Sequence, residues 1–202
     1  MLILGLAGGS GSGKGMVSSF FAKQDIPSID TDFLYRKMTS AGGICIPYLK
    51  EAFGDAVINE MGALDRKILS SIVFSSDEKR KLLNSITHKL ILEEVRKLIR
   101  SYKDFGYSAV LIDAPLLFES GFNKECDMII SVLCDEDVRV ARIIERDKIT
   151  AEMARLRIKS QLSDSFLREN SDFILINNST PNNLEIQVTE LLNKLNLKGD
   201  KK

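Results

Sequence analysis

The chain has 202 residues, is 44% hydrophobic, and carries 28 basic and 28 acidic side chains for a formal net charge of zero. That balance excludes the basic excess of a general nucleic-acid binder, and no apolar run approaches the length of a membrane span. Three cysteines without metal-ligand spacing and a lone histidine exclude a Cys- or His-built metal cluster. Together these features favour a reducing compartment and predict a cytoplasmic protein.

Residues 2–7 are a short apolar run and read as a buried strand. Gly8-Gly9-Ser10-Gly11-Ser12-Gly13-Lys14 follows, and 14–23 reads as a helix. Strand, glycine loop and helix are the setting that a phosphate-binding P-loop requires. Glycines let backbone amides converge on an anion, and the helix N-terminus adds donors and positive potential. Lys14 supplies a mobile charge. The Ser or Thr that normally follows the lysine and ligates Mg²⁺ is absent, and Gly15 stands there. Ser18 lies a helical turn further on, too far to replace it directly.

Residues 26–29 read as a second strand, with Asp30-Thr31-Asp32 at its C-terminal edge. Either carboxylate could cap the next helix or do chemistry. From 41 to 102 the chain reads as mostly helical. Ser75-Ser76-Asp77-Glu78 fits a capping box, and Leu82, Leu83, Ile86, Leu90, Ile91 and Val95 share one helical face. His88 falls inside that helix, where a lone histidine is more often packed than functional.

Residues 108–113 form a third strand ending in Asp113, a Walker B-like position. Leu116, Leu117 and Phe118 follow in a loop, where they line a pocket or pack beneath the helical segment. A fourth strand covers 127–133. Asp135-Glu136-Asp137 then caps a helix bearing Arg139, Arg142 and Arg146, and 150–161 is a further helix. This arginine-dense pair has the look of a kinase lid. A fifth strand at 171–176 ends at Asn177. Thr180-Pro181 opens the last helix, and 199–202 is a polar tail. The fold expected is α/β, a P-loop three-layer sandwich. It has a mostly parallel five-stranded sheet (core about 1–40, 104–135 and 168–202), a helical insertion (41–103) and a helical lid (136–167).

With these elements placed, the sequence resembles the dephospho-coenzyme A kinase family over nearly its whole length. Residues 5–14 look like the family P-loop. Ile29-Asp30-Thr31-Asp32 matches its Asp-x-Asp. Gly62-Ala63-Leu64-Asp65-Arg66 and Pro115-Leu116-Leu117-Phe118-Glu119 match blocks more specific than the P-loop. The resemblance implies phosphoryl transfer from ATP, with Mg²⁺, to the ribose 3′-hydroxyl of dephospho-coenzyme A, the final step of coenzyme A synthesis. It implies Asp32 as the base or orienting group for that hydroxyl, Lys14 and Arg142 as catalytic charges, and Gly9 to Met16 with Arg142 and Asn177 at ATP, Asn177 near the adenine. It further implies Asp32, Arg66, His88, Leu116 and Phe118 at the acceptor, and Asp32 and Asp113 toward the metal, directly or through water.

Two departures stand out: Gly15-Met16 replaces the family's Ser-Thr, and Lys89 replaces the proline after the histidine. The first raises one alternative, a nucleotide binder with impaired catalysis; another is a different small-molecule P-loop kinase, with the same core and another acceptor pocket. The expected partners are small molecules only, without nucleic acid or membrane, and the expected state is a monomer or weak homo-oligomer.

Overall fold

The computed structural model describes residues 1–197; the tail predicted at 199–202 lies outside them. Five strands form one sheet in the order β2-β3-β1-β4-β5. They are β1 (Leu2–Ala7), β2 (Ser28–Asp30), β3 (Ala109–Asp113), β4 (Met128–Leu133) and β5 (Phe173–Ile176). β1 pairs parallel with β3 and β4, and β4 pairs parallel with β5. The α/β fold read from the sequence is the one observed.

Most strands start one or two residues later than predicted, and residues just before them bond to the neighbouring strands. The Asp127 carboxylate accepts from the Ile3 amide at 2.7 Å, and the Asp172 carboxylate accepts from the Ile129 amide at 2.7 Å. Pro27 offers its carbonyl to the Leu111 amide at 2.9 Å.

Alternation along the strands sends Leu4, Leu6, Leu111, Ile130 and Val132 into one core. Helices α1 (Lys14–Ala22) and α9 (Pro181–Lys194) cover that face with Val17, Phe21, Leu184 and Val188. On the other face Gly5 has no room for a side chain: a Cβ would lie 2.8 to 3.0 Å from Ile129, Leu117 and Cys126. This close approach explains the apolar loop after β3. Leu117 is 1% exposed and packs, Leu116 is 48% exposed, and Phe118 sits edge-on to Phe166 at 5.2 Å.

Two compact units partition the chain, Met1–Ile29 with Ser101–Lys202, and Asp30–Arg100. The second is built of α2 (Thr31–Met38), α3 (Ile46–Phe53), α4 (Arg66–Phe74) and most of α5 (Asp77–Asp104). Side chains cap α2, α4 and α5, whereas α3 has no side-chain cap. Asp30 accepts from the Phe33 amide, Asp65 from Lys67 and Ile68, and Ser76 from Lys79. Between α3 and α4, Asn59 closes a turn by accepting from the Met61 and Ala63 amides. The buried positions of α5 are Thr87, Leu90 and Val95.

In the first unit, α6 (Glu136–Asp147) and α7 (Ala151–Lys159) share a small core of Val140, Ile143 and Ala154. Asp135 takes the cap position of α6, but its carboxylate makes no cap bond, contrary to the sequence reading; its amide donates to Asn178 instead. A helix the sequence did not reveal, α8 (Asp164–Glu169), follows, capped by Ser163. Among the described residues no helix is long and apolar enough to cross a membrane.

A carboxylate clasps α6 to α7. Asp147 accepts two bonds from Arg146, at 2.7 and 2.9 Å, and one from Arg157. The Arg146 hydrogen bonds, reinforced by Arg157, hold the Asp147 carboxyl down at about 2. Its folded value lies below its unfolded one, so the stabilisation is present above about pH 4 and is lost as pH falls toward 2. Asp147→Asn should remove that dependence. In acid-unfolding curves, the stability gap between wild type and variant should shrink from pH 4 to pH 2.

Candidate active site

The glycine loop leaves β1 at the middle of the sheet. β1 connects outward past β3 to β2, whereas β3 connects past β1 to β4. The two chains diverge at the C-terminal ends of adjacent strands, the crevice where open α/β sheets hold ligands. Asp113 ends β3 there and pairs in register with Leu6.

The loop conformation is specific to glycine. Gly8, Gly11 and Gly13 have φ of 145°, 77° and 102°. Gly13 stands at the cap position of α1 and supplies no side-chain cap; the Met16 and Val17 amides donate to its carbonyl, and those of Lys14 and Gly15 begin the helix with no side chain capping them. No acidic residue lies in that turn, which leaves the positive end of the helix open to an anion. The Ser12 hydroxyl is buried with no hydrogen-bond partner among the described residues. Such an orphan polar atom calls for an explanation, and a site shaped for a polar ligand supplies one.

Side chains from distant elements hold the loop from behind. Asn177, 2% exposed, donates to the Ser12 carbonyl at 2.7 Å. Arg142 donates to the Gly11 carbonyl at 3.2 Å and to the Asn177 side-chain oxygen at 3.4 Å. Arg139 donates to the Ser10 carbonyl at 3.0 Å and to Gln161 at 2.9 Å, while Gln161 accepts from the Ser10 amide at 2.9 Å. A trans peptide sets its N–H opposite its C=O. Anchoring the Ser10 and Ser12 carbonyls on this side therefore turns the Gly11 and Gly13 amides to the other. Lys14 lies back along the loop and donates to the Gly8 carbonyl at 2.9 Å. An ammonium has three donors, so the others remain for phosphate.

The site reaches beyond the sequence reading in two places. Arg139 is 5% exposed, not part of a solvated face. It is held by Ser10, Gln161 and, at 3.5 Å, Asp164. Its three-residue offset from Arg142 was the available signal. Ser18, set aside as too remote, donates to the Asp113 carboxylate at 3.1 Å.

The structure brings Gly9 to Met16, Asp113, Arg142 and Asn177 into the first unit, with Leu116 and Phe118 in the loop after β3. Asp32, Arg66 and His88 belong to the second unit. There Asp30 performs the capping, and Asp32 is exposed in the first turn of α2. Arg66 lies 5.8 Å from the Tyr35 ring centre, and His88 is half-buried on α5.

The dephospho-CoA kinase family profile matches residues 2–183. The chain belongs to the dephospho-CoA kinase family. A dephospho-CoA kinase of Shouchella clausii is 36% identical over 191 residues, covering 95% of this chain and 97% of the relative. The crystal structure of a Thermus thermophilus protein superposes with a TM-score of 0.80 at 28% identity, covering 96% of this chain and 97% of the other. The structure of dephospho-CoA kinase from Campylobacter jejuni shares the fold, with a TM-score of 0.72 at 22% identity over 96% of each chain.

Mg²⁺ prefers oxygen donors and keeps several waters and phosphate oxygens. Asp113 offers such a donor at the end of β3, and the Ser18 hydroxyl is hydrogen-bonded to it. Among the described residues no group of three His, Cys, Asp or Glu side chains could hold a metal. This set fits a Mg²⁺ ion that arrives on the nucleotide, as dephospho-CoA kinase chemistry needs, rather than one caged by the protein.

The glycines differ sharply in tolerance. A Cβ at Gly13 would collide with the Asn177 amide in a left-handed backbone, whereas one at Gly15 meets nothing within 4 Å. Urea unfolding should show Gly13→Ala destabilised by about 2 kcal/mol or more. Gly15→Ser should gain about 0.5 kcal/mol from helix propensity.

Proposed function

We propose that this chain transfers the γ-phosphoryl group of ATP to the ribose 3′-hydroxyl of dephospho-coenzyme A, giving coenzyme A and ADP, the last step of coenzyme A biosynthesis. The observation that carries the reading is the loop. Its carbonyls are anchored from behind by Asn177, Arg142 and Arg139, in a chain whose family match spans 2–183.

Phosphoryl transfer needs positioning and charge neutralisation more than covalent chemistry. Gly9 to Met16 form the phosphate cradle, with the Gly11, Gly13, Lys14 and Gly15 amides as its donors, and Lys14 spreads its charge over the phosphate oxygens. Arg142, already reaching the loop from α6, offers guanidinium charge beside the transferring group. Asn177 fixes the loop below the nucleotide. Asp32 accepts the hydroxyl proton of the acceptor, a role supported by its match to the family's second aspartate and by Asp30 alone taking the cap. Arg66, His88, Leu116 and Phe118 hold the acceptor, with 41–103 as the acceptor-binding segment and 136–167 as the lid. Asp113 and Asp32 are the carboxylates that would hold a Mg²⁺ ion bound with ATP, directly or through water, and the ion would supply neutralisation of the phosphate charge. Lid closure would exclude water and suppress idle hydrolysis. The protein works in the cytoplasm as a monomer or weak homo-oligomer.

The test is a coupled assay for ADP release with ATP, Mg²⁺ and dephospho-coenzyme A beside a no-acceptor control. Acceptor-dependent release with coenzyme A as product is expected. ATP binding without any acceptor-dependent release would favour the nucleotide-binding alternative that Gly15 raises. Asp32→Asn should lower kcat by about 10²-fold or more while the KM for ATP stays near wild type. An unchanged kcat would remove Asp32 from its role. Arg142→Ala should raise the KM for ATP and lower kcat together, since it loosens the loop and removes charge.

A further inference from the structure

Gly15 removes the hydroxyl that a P-loop ordinarily presents to the nucleotide's metal. Nothing in the fold fills the space: a Cβ there would meet no atom within 4 Å. The next hydroxyl on that helix face belongs to Ser18, three residues on and about 4.5 Å deeper along the axis. A Mg–O bond is about 2.1 Å, so Ser18 cannot stand in as a ligand from that depth. Its hydroxyl is committed to Asp113, donating to Oδ2 at 3.1 Å.

We propose that Ser18 is a positioning residue for the metal-facing carboxylate, fixing Asp113 at the end of β3 so that a Mg²⁺ ion lacking a P-loop hydroxyl keeps its hold on the protein. The proposal rests on the kinase reading above, because the ion comes with ATP.

The need for such a tether follows from the charges around the loop. Asp113 ends β3 in register with Leu6, just before the strand that carries the loop gives way to it, and its carboxylate lies against α1. A carboxylate in that field is drawn toward the cation and the helix amides. There it would compete with phosphate for the donors that the loop has arranged. Ser18 holds Oδ2 against α1, one turn below the phosphate end. In an ordinary loop the hydroxyl directly after the lysine would bind the ion itself; here the work is divided. Water takes the open space at Gly15, as Mg²⁺ readily allows, and Ser18 keeps the carboxylate aimed. Outer partners of this kind matter: their loss typically lowers metal affinity about 10- to 100-fold.

The experiment is calorimetry of ATP binding with the full chain, without acceptor, in Mg²⁺ and in EDTA. Wild type should bind ATP more tightly in Mg²⁺. Ser18→Ala should lose about tenfold in affinity in Mg²⁺ and bind as wild type does in EDTA, which also shows that the variant is folded. Its activity should demand a higher Mg²⁺ concentration. Adding Gly15→Ser to Ser18→Ala should restore the Mg²⁺-dependent affinity, by placing a hydroxyl at the ion directly. Equal losses in Mg²⁺ and EDTA would make Ser18 merely structural, and no loss in either would remove it from the site; both overturn the proposal. Failure of the kinase reading would show separately, as absent acceptor-dependent ADP release by wild type.

Discussion

A phosphate cradle needs its amide protons facing one way, and in this protein that constraint is met by gripping the carbonyls on the reverse side. Asn177 takes Ser12, Arg142 takes Gly11 and Arg139 takes Ser10. Since the peptide unit is planar and trans, each grip orients the following amide. Glycine at 8, 11 and 13 supplies the dihedrals that L side chains resist. Space imposes the same choice, because Arg139 packs against Gly9 and Gly11 and Asn177 against Gly13.

The rest of the first unit exists in large part to deliver those grips. β1 and β3 lie side by side, so the loop and Asp113 emerge together. Asn177 directly follows β5, and its amide continues the strand pairing by donating to the Leu133 carbonyl at 2.8 Å. α6 carries both arginines, and the small α6–α7 core keeps that helix in place. Burying Arg139 would be unfavourable alone. It is tolerated because carbonyl, amide and carboxylate acceptors surround it, and charge-assisted bonds are the stronger kind. Gln161 joins both partners, so the end of α7 reports directly on the loop.

Gly15 shows how a motif can lose a member without losing its surroundings. The substitution leaves open space and no backbone strain, unlike a change at Gly13. Ser18 and Asp113 meet one turn below. A metal site carried by its substrate tolerates such redistribution, because water and phosphate supply most of the ligands.

The sequence by itself determined the strands as buried apolar runs, the loop with its helix, the helix openings near 75–78 and at Thr180, and the family through blocks spread over the chain. These are local signals, set by periodicity, glycine and turn chemistry within a few residues. It left open which of Asp30 and Asp32 caps α2, how Leu116, Leu117 and Phe118 divide between packing and exposure, and what the individual arginines of α6 do. It also misjudged the Asp135 cap and set Ser18 aside. Only the tertiary structure decided these points. The bonds that settle the loop join residues 95 to 165 positions apart, and no local pattern encodes such a pairing. They form because a parallel sheet brings the C-terminal ends of β1, β3 and β5 to one edge, where side chains remote in sequence find the same few carbonyls.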